Sequence, residues 1–308
     1  MMFLEDLKMA DAVFHTRSLG APSEGLRDQY ADGKAAKVWE VFIGDKNSRT
    51  QNYKNFLFSL LRERGCKRIL DVACGTGIDS IMLLEEGFDV VSVDASDKML
   101  KYALKARWNR RKEPQFDKWI IEEANWLTLY DDIEQIVGDG FDAVICLGNS
   151  FAHLLDRFGD QREILQALRN FEKCVKPGGL LLIDHRNYDD IIDTGRTASK
   201  CIYYNSKHTS DIKTSVLYVS GKPALVTLDY FIDTSSQFGK SDDVINEDCI
   251  SEFRLSYYPH RLEVFKDNLR KAFGENSTYK IYGDFKELDD IETPNFYIHV
   301  VEKSNTIF

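Results

Sequence analysis

The segment Asp71-Val-Ala-Cys-Gly-Thr-Gly77 constrains this chain most, because it joins a short apolar run, Arg68 to Ala73, to a helical pattern from Ile78 to Glu86 that Gly87 stops. Glycines at such a junction let backbone approach a ligand that a Cβ would block, and the helix start offers unpaired N–H groups. A second strand, Phe88 to Val93, leads into Asp94, 19 residues beyond Gly75, where a carboxylate can accept both hydroxyls of a ribose. Strand, glycine loop, helix, strand and terminal acid in register read as an adenosine site at the carboxyl edge of a parallel sheet. The loop departs from the dinucleotide fingerprint, because position 80 is Ser rather than Gly or Ala, so pyrophosphate binding loses support.

The rest of the chain extends that alternation. Phe56, Leu57, Leu60 and Leu61 recur at helical spacing between Thr50 and Gly65. Ser96 with Asp97 is the expected cap of a helix reaching about Trp108, and Lys118 to Glu123 forms a third strand. Phe141 to Cys146 gives a fourth strand, Gln161 to Cys174 a helix, and Lys176-Pro-Gly-Gly179 a turn feeding a fifth strand that ends at Asp184. Strand-like segments then follow one another at Tyr203-Tyr204, Thr214 to Val219, Ala224 to Ile232 and Ile250 to Tyr258, without intervening helices. A helix from His260 to Phe273 and strands at Tyr279 to Tyr282 and Phe296 to Val301 close the chain. The expected fold class is α/β, a Rossmann-like sheet with a small antiparallel insert. The expected organisation is an N-terminal segment with lid helices (1–48), a catalytic domain (49–185 and 259–308) and a substrate-side insert (186–258).

Composition narrows the ligand. A net charge of −10 disfavours nucleic acid, whose binding draws on many cationic contacts to phosphate. The basic run Arg107-Trp-Asn-Arg-Arg-Lys112 falls at a helix end, where cations complement the dipole. No apolar run approaches the roughly 20 residues that span a bilayer, and the start, Met1 to Lys8, lacks the basic n-region of a signal peptide. The six cysteines contain no C-x-x-C pair, as suits a reducing compartment, and the histidines show no metal-ligand spacing. A cytoplasmic protein without metal or membrane partner is expected.

Asp71-x-x-Cys-Gly-x-Gly77 resembles motif I of class I S-adenosylmethionine-dependent methyltransferases, and Lys176-Pro-Gly-Gly179 resembles their later Pro-Gly-Gly turn. The loop after the fourth strand, Leu147-Gly-Asn-Ser-Phe-Ala-His153, lacks the Asn/Asp-Pro-Pro-Tyr of enzymes that act on planar amino groups, so a small aliphatic acceptor fits better. From about Thr16 to Val301 the chain is similar to the glycine N-methyltransferase family, most clearly in Thr16 to Gly20, Asp28 to Gly33, Ser92 to Lys105, Glu122 to Trp126, Ile183 to Asp189 and Phe253 to His260. The resemblance implies S-adenosyl-L-methionine as methyl donor, glycine as acceptor and a homotetramer. It implies that Tyr30, Trp39 and Arg49 hold the donor from above, with Arg49 on its carboxylate. Ala73, Gly75, Asp94, Asn125, Trp126, Leu147 and His153 would line its adenosine and methionine portions. The acceptor's carboxylate would be gripped by Arg186, assisted by Asn149, with Tyr204, Tyr230 and Tyr257 around the amine.

Plainer readings stand beside these. Arg186 has a second reading as a salt-bridge arginine, and the three tyrosines have one as packing on antiparallel strands, where tyrosine is favoured. Phe42 stands where the family pattern has tyrosine. That difference, with the altered insert, motivates an alternative in which sarcosine is also methylated, as in betaine-pathway enzymes. A non-catalytic donor- or folate-binding regulator is a third reading. Several extra residues precede Ala10-Asp-Ala-Val-Phe14, in the region through which folate inhibits vertebrate members, so the resemblance does not carry that inhibition over.

Overall fold

The structure is a computed structural model and describes residues 46–198, 201–205, 209–233 and 250–305. Tyr30, Trp39 and Phe42, with most of the N-terminal segment, lie outside the described residues.

Five parallel strands form the heart of the main sheet: β1 (Arg68–Asp71), β2 (Asp89–Asp94), β3 (Ile120–Glu123), β4 (Phe141–Cys146) and β5 (Val175–Arg186). Each is joined to the next through helix, as parallel pairing requires. β1 pairs with β2 on one side and β4 on the other, so the chain reverses its direction of travel across the sheet at β1 and β4. Ligands bind outside the carboxyl ends of strands at such a switch point. Three further strands, β9 (Thr278–Gly283), β10 (Lys286–Glu287) and β11 (Phe296–Glu302), complete an eight-stranded order β10-β9-β11-β5-β4-β1-β2-β3, with β11 antiparallel to β5.

Six main helices cover the two faces: α1 (Gln51–Glu63), α2 (Ile78–Glu85), α3 (Asp97–Asn109), α4 (Arg162–Cys174), α5 (Tyr188–Thr194) and α6 (Leu262–Phe273). α1 starts because the Thr50 hydroxyl accepts the Tyr53 N–H, and it buries Tyr53, Leu57 and Leu61, one per turn along one stripe. Fully burying each of those side chains contributes about 1.5–3 kcal/mol. They join a cluster with Leu83 of α2, Ala103 of α3 and Trp119. The opposite face packs Leu168 and Phe171 of α4 against Phe265 and Leu269 of α6.

The insert is a separate three-stranded antiparallel sheet of β6 (Thr209–Val219), β7 (Lys222–Asp233) and β8 (Ile250–Tyr257). Its buried face, with Val226, Leu228, Tyr230, Leu255 and Tyr257, merges into the α1 cluster. Four sequence expectations need correction. β5 runs on to Arg186, so that residue belongs to the main sheet rather than opening the insert. A helix, α5, then precedes the insert strands; it forms because the Asn187 side chain accepts the Asp190 N–H, a local cap that a search for strands overlooks. Tyr204 forms an isolated bridge to Arg49, outside the named strands. Ser96 does sit at the cap position of α3, but makes no side-chain capping bond; Asp94 accepts its N–H instead.

Candidate active site

The glycine loop between β1 and α2 takes the backbone path its sequence implies. Gly75 and Gly77 have φ of 53° and 85°, the left-handed region that favours glycine. The Gly75 N–H donates to Asp94 Oδ2 at 2.8 Å and the Ser96 N–H to Oδ1 at 2.9 Å, which fixes the carboxylate at the end of β2. A carboxylate oxygen accepts more than one bond, so these two N–H groups do not by themselves exhaust Asp94. Ala73 is half-buried beside the loop, and its N–H donates to Asp71 Oδ1 at 3.3 Å.

Across the switch point, the Trp126 indole N–H donates to the Val72 carbonyl at 2.6 Å, and its ring lies 5.5 Å from that of Phe151. Asn125 Oδ1 accepts the Leu127 N–H at 2.9 Å, so the side chain caps its own turn. Leu147 packs against the core at the end of β4. The His153 ring stands 4.8 Å from that of Tyr257, and desolvation pushes its pKa down to about 4, so it is neutral at physiological pH. Arg49 is buried, donates from Nε to Asp79 Oδ1 at 2.7 Å, and lies 5.6 Å from the Tyr204 ring centroid. Burial disfavours its charge, but Asp79, Tyr53 and Tyr204 together more than offset this and the pKa rises.

The residues expected to hold the acceptor, Arg186 and Asn149, lie at the end of β5 and on the loop after β4. Asn149 sits at φ 65°, and its N–H donates to both oxygens of Asp184, at 2.9 and 3.1 Å. Its Oδ1 accepts the Arg186 N–H at 3.0 Å and the Tyr188 hydroxyl at 3.1 Å. With its oxygen so committed, the amide turns Nδ2 away from these partners. Asn149 Nδ2 and Arg186 Nε are both buried and have no hydrogen-bond partner among the described residues. Buried donors are almost always paired, so each of these two groups, tied together through the Asn149 Oδ1 bond to the Arg186 N–H, is a candidate to meet an acceptor. Among the described residues Arg186 forms no ion pair with a carboxylate; its guanidinium lies 4.8 Å from the Phe296 ring centroid. Tyr204, Tyr230 and Tyr257 are buried close enough to interact electrostatically with it, and the last two join hydroxyls at 3.1 Å.

Reasoning from sequence missed three supporting residues. Asp184, fully buried, accepts the Tyr203 hydroxyl at 2.6 Å as well as the Asn149 N–H. Burial pushes its pKa up to about 7, against the pull of those hydrogen bonds and of Arg186. Tyr188 locks the Asn149 amide. An acid at the end of an apolar strand was the available signal for Asp184; Tyr188 and Tyr203 offered none beyond being aromatic.

A methyltransferase-domain family model matches residues 70–181. The chain shares its fold with an S-adenosylmethionine-dependent methyltransferase from Clostridium acetobutylicum ATCC 824, at a TM-score of 0.59 and 15% identity over 89% of this chain and 99% of that one. A glycine/sarcosine N-methyltransferase from Halorhodospira halochloris is 36% identical over 296 residues, 93% of this chain and 96% of that one. Glycine N-methyltransferase from Homo sapiens is 57% identical over 300 residues, 96% of this chain and 100% of that one. At that identity across the whole of the human protein, the chain belongs to the glycine N-methyltransferase family.

Proposed function

We propose that this protein transfers a methyl group from S-adenosyl-L-methionine to glycine, giving sarcosine and S-adenosylhomocysteine. The observation that carries the reading is the pair of buried, unpartnered donors, Arg186 Nε and Asn149 Nδ2, beside the switch-point edge that bears the glycine loop. A guanidinium fork suits a carboxylate, and an amide N–H beside it adds a second direction of grip. The names of relatives at 57–58% identity support glycine as the acceptor.

The donor brings an already activated sulfonium methyl. Asp94 would hold its ribose, the glycine loop its backbone-facing side, Trp126, Leu147 and His153 its adenine and methionine portions, and Arg49, together with Tyr30 and Trp39, its outer face. The glycine nitrogen, once deprotonated, attacks the methyl carbon as the carbon–sulfur bond breaks, and the proton lost from nitrogen passes to solvent. Little acid or base chemistry is needed. Holding nitrogen, carbon and sulfur in line is worth up to roughly 7–11 kcal/mol in such reactions. Arg186 and Asn149 fix the carboxylate end, and Tyr204, Tyr230 and Tyr257 bound the amine.

The homotetramer and cytoplasmic location implied by the resemblance belong to the same proposal; in the described residues no helix is long and apolar enough to cross a membrane. Phe42, in place of the family's tyrosine, favours testing sarcosine as a second acceptor. Incubating the full chain with donor and a panel of amino acids, and reading product masses, tests the reading. Sarcosine from glycine supports it, dimethylglycine from sarcosine supports the wider acceptor range, and donor binding without methylated product contradicts both.

A further inference from the structure

Beneath the glycine loop runs a hydrogen-bonded chain that no proposed contact to the donor or acceptor uses. The Trp119 indole N–H donates to Ser92 Oγ at 2.7 Å, Ser92 Oγ to Ser80 Oγ at 2.7 Å, and Ser80 Oγ to Asp71 Oδ2 at 2.6 Å. Trp119, Ser92 and Ser80 are wholly buried. Because an indole N–H only donates, the direction of both hydroxyls is set: each accepts from one side and donates to the other, ending on the carboxylate. Successive bonds of this kind polarise and strengthen one another in a low-dielectric interior. Asp71 in turn accepts the Ala73 N–H through its other oxygen, at 3.3 Å, so the chain ends on the first half of the loop.

Trp119 also reaches the second half. A Cβ placed on Gly77 would stand 2.8 Å from the ring carbon Cη2 of Trp119, so the indole edge is the floor against which the left-handed Gly77 rests. One side chain thus contacts the loop's exit directly and its entrance through two hydroxyls. Ser80 occupies the place where a dinucleotide loop carries Gly or Ala; here that place must supply a hydroxyl, which accounts for the departure.

We infer that Trp119, with Ser92 and Ser80, is a positioning residue for the methyl donor: it sets the glycine loop's shape from behind, without touching the ligand, an inference that rests on the donor-binding reading above. A purely structural tryptophan would support the fold as a whole. A positioning one weakens donor binding and leaves the acceptor site, built on β5, largely untouched.

The test uses the full chain with S-adenosylhomocysteine and S-adenosyl-L-methionine in titration calorimetry, and steady-state kinetics with glycine at saturating donor. Trp119→Phe keeps a ring and removes the N–H; Ser80→Ala removes the last donor to Asp71. Each is expected to raise donor Kd roughly fivefold, the effect of one lost internal hydrogen bond, while glycine KM moves less than twofold. Because the two residues act through one chain, the double variant is expected to bind about as weakly as either single one, well short of the product of the two effects. Should Trp119→Phe fail to fold, Ser92→Ala replaces it in the same comparison. Donor Kd within twofold of wild type in the variants, or glycine KM rising in step with donor Kd, would overturn the inference. A wild-type chain that binds no donor would instead overturn the reading on which it rests.

Discussion

Asn149 Oδ1 accepts the backbone N–H of Arg186 at 3.0 Å, so the amide is aligned by the residue beside which it is proposed to hold the acceptor. Turning the amide over would cost that bond and the one from Tyr188. Replacing Asn149 by Asp keeps the accepting oxygen but presents a second oxygen where Nδ2 stood. A carboxylate there repels the glycine carboxylate and loses a charge-assisted bond worth about 1.5–3 kcal/mol. Asn149→Asp is expected to raise glycine KM roughly 10-fold to 100-fold, with donor Kd within twofold, in steady-state kinetics paired with calorimetry.

Asp184 lies one step further back. Its carboxylate holds the Asn149 N–H and the Tyr203 hydroxyl inside the core. Asp184→Asn places an NH2 group against donors, leaving buried groups unsatisfied at about 1–3 kcal/mol each. Urea unfolding is expected to show a loss of about 2 kcal/mol, and glycine KM to rise while donor Kd holds. An unchanged unfolding midpoint would refute this support role.

Stability should fall on the acid side. His185, His260 and His299 are buried together, with ring centroids of His185 and His299 4.9 Å apart. Burial pushes the His185 pKa down from 6.5 to about 4 and depresses the other two as well, helped by their neighbouring imidazoles. The unfolded chain therefore binds protons at these sites below pH 6.5 that the native chain refuses, so their contribution, present in full above 6.5, is lost as pH falls toward 4. Asp71 and Asp184 act oppositely. Burial raises each from 3.8 to about 7, so the native chain takes up protons first and these two sites stabilise it as pH falls from 7 toward 3.8. His153, likewise pushed down to about 4, acts in the same direction, so four histidines stand against two acids and the urea midpoint is expected to drop between pH 6.5 and 4.5. A midpoint that rises over that range would contradict the balance.

Two left-handed glycines separate backbone strain from packing. Gly65 has φ 64° and nothing within 4 Å of a built Cβ, whereas Gly77 has φ 85° and meets Trp119 at 2.8 Å. Gly65→Ala should cost about 1 kcal/mol, the left-handed penalty alone. Gly77→Ala adds a clash and should cost more, with weakened donor binding besides. Equal losses in thermal denaturation would show that the indole yields freely.

What the sequence made legible follows from periodicity and from glycine. The glycine loop, Asp94 and the alternation through β5 could be read because parallel pairing and left-handed turns leave marks on local residues. Arg186 was legible as the residue just past an apolar strand, although the strand extends to include it. Asp184, Tyr188 and Tyr203 were not, because their roles exist only once β5, α5 and the loop after β4 come together. The Trp119 chain was hidden for the same reason: Ser80 lies on α2, Ser92 on β2 and Trp119 just before β3, and only Ser80 stood out, as an exception to a pattern. The short helix α5 escaped because its signal is one asparagine cap.

The claim at the centre of this account is that the Arg186 guanidinium holds the acceptor's carboxylate, and Arg186→Lys tests it most directly. Lysine keeps the charge but loses the planar fork. Glycine KM should rise at least about 10-fold while donor Kd, measured on the same preparation, stays within twofold. Unchanged glycine KM in that variant would contradict the account.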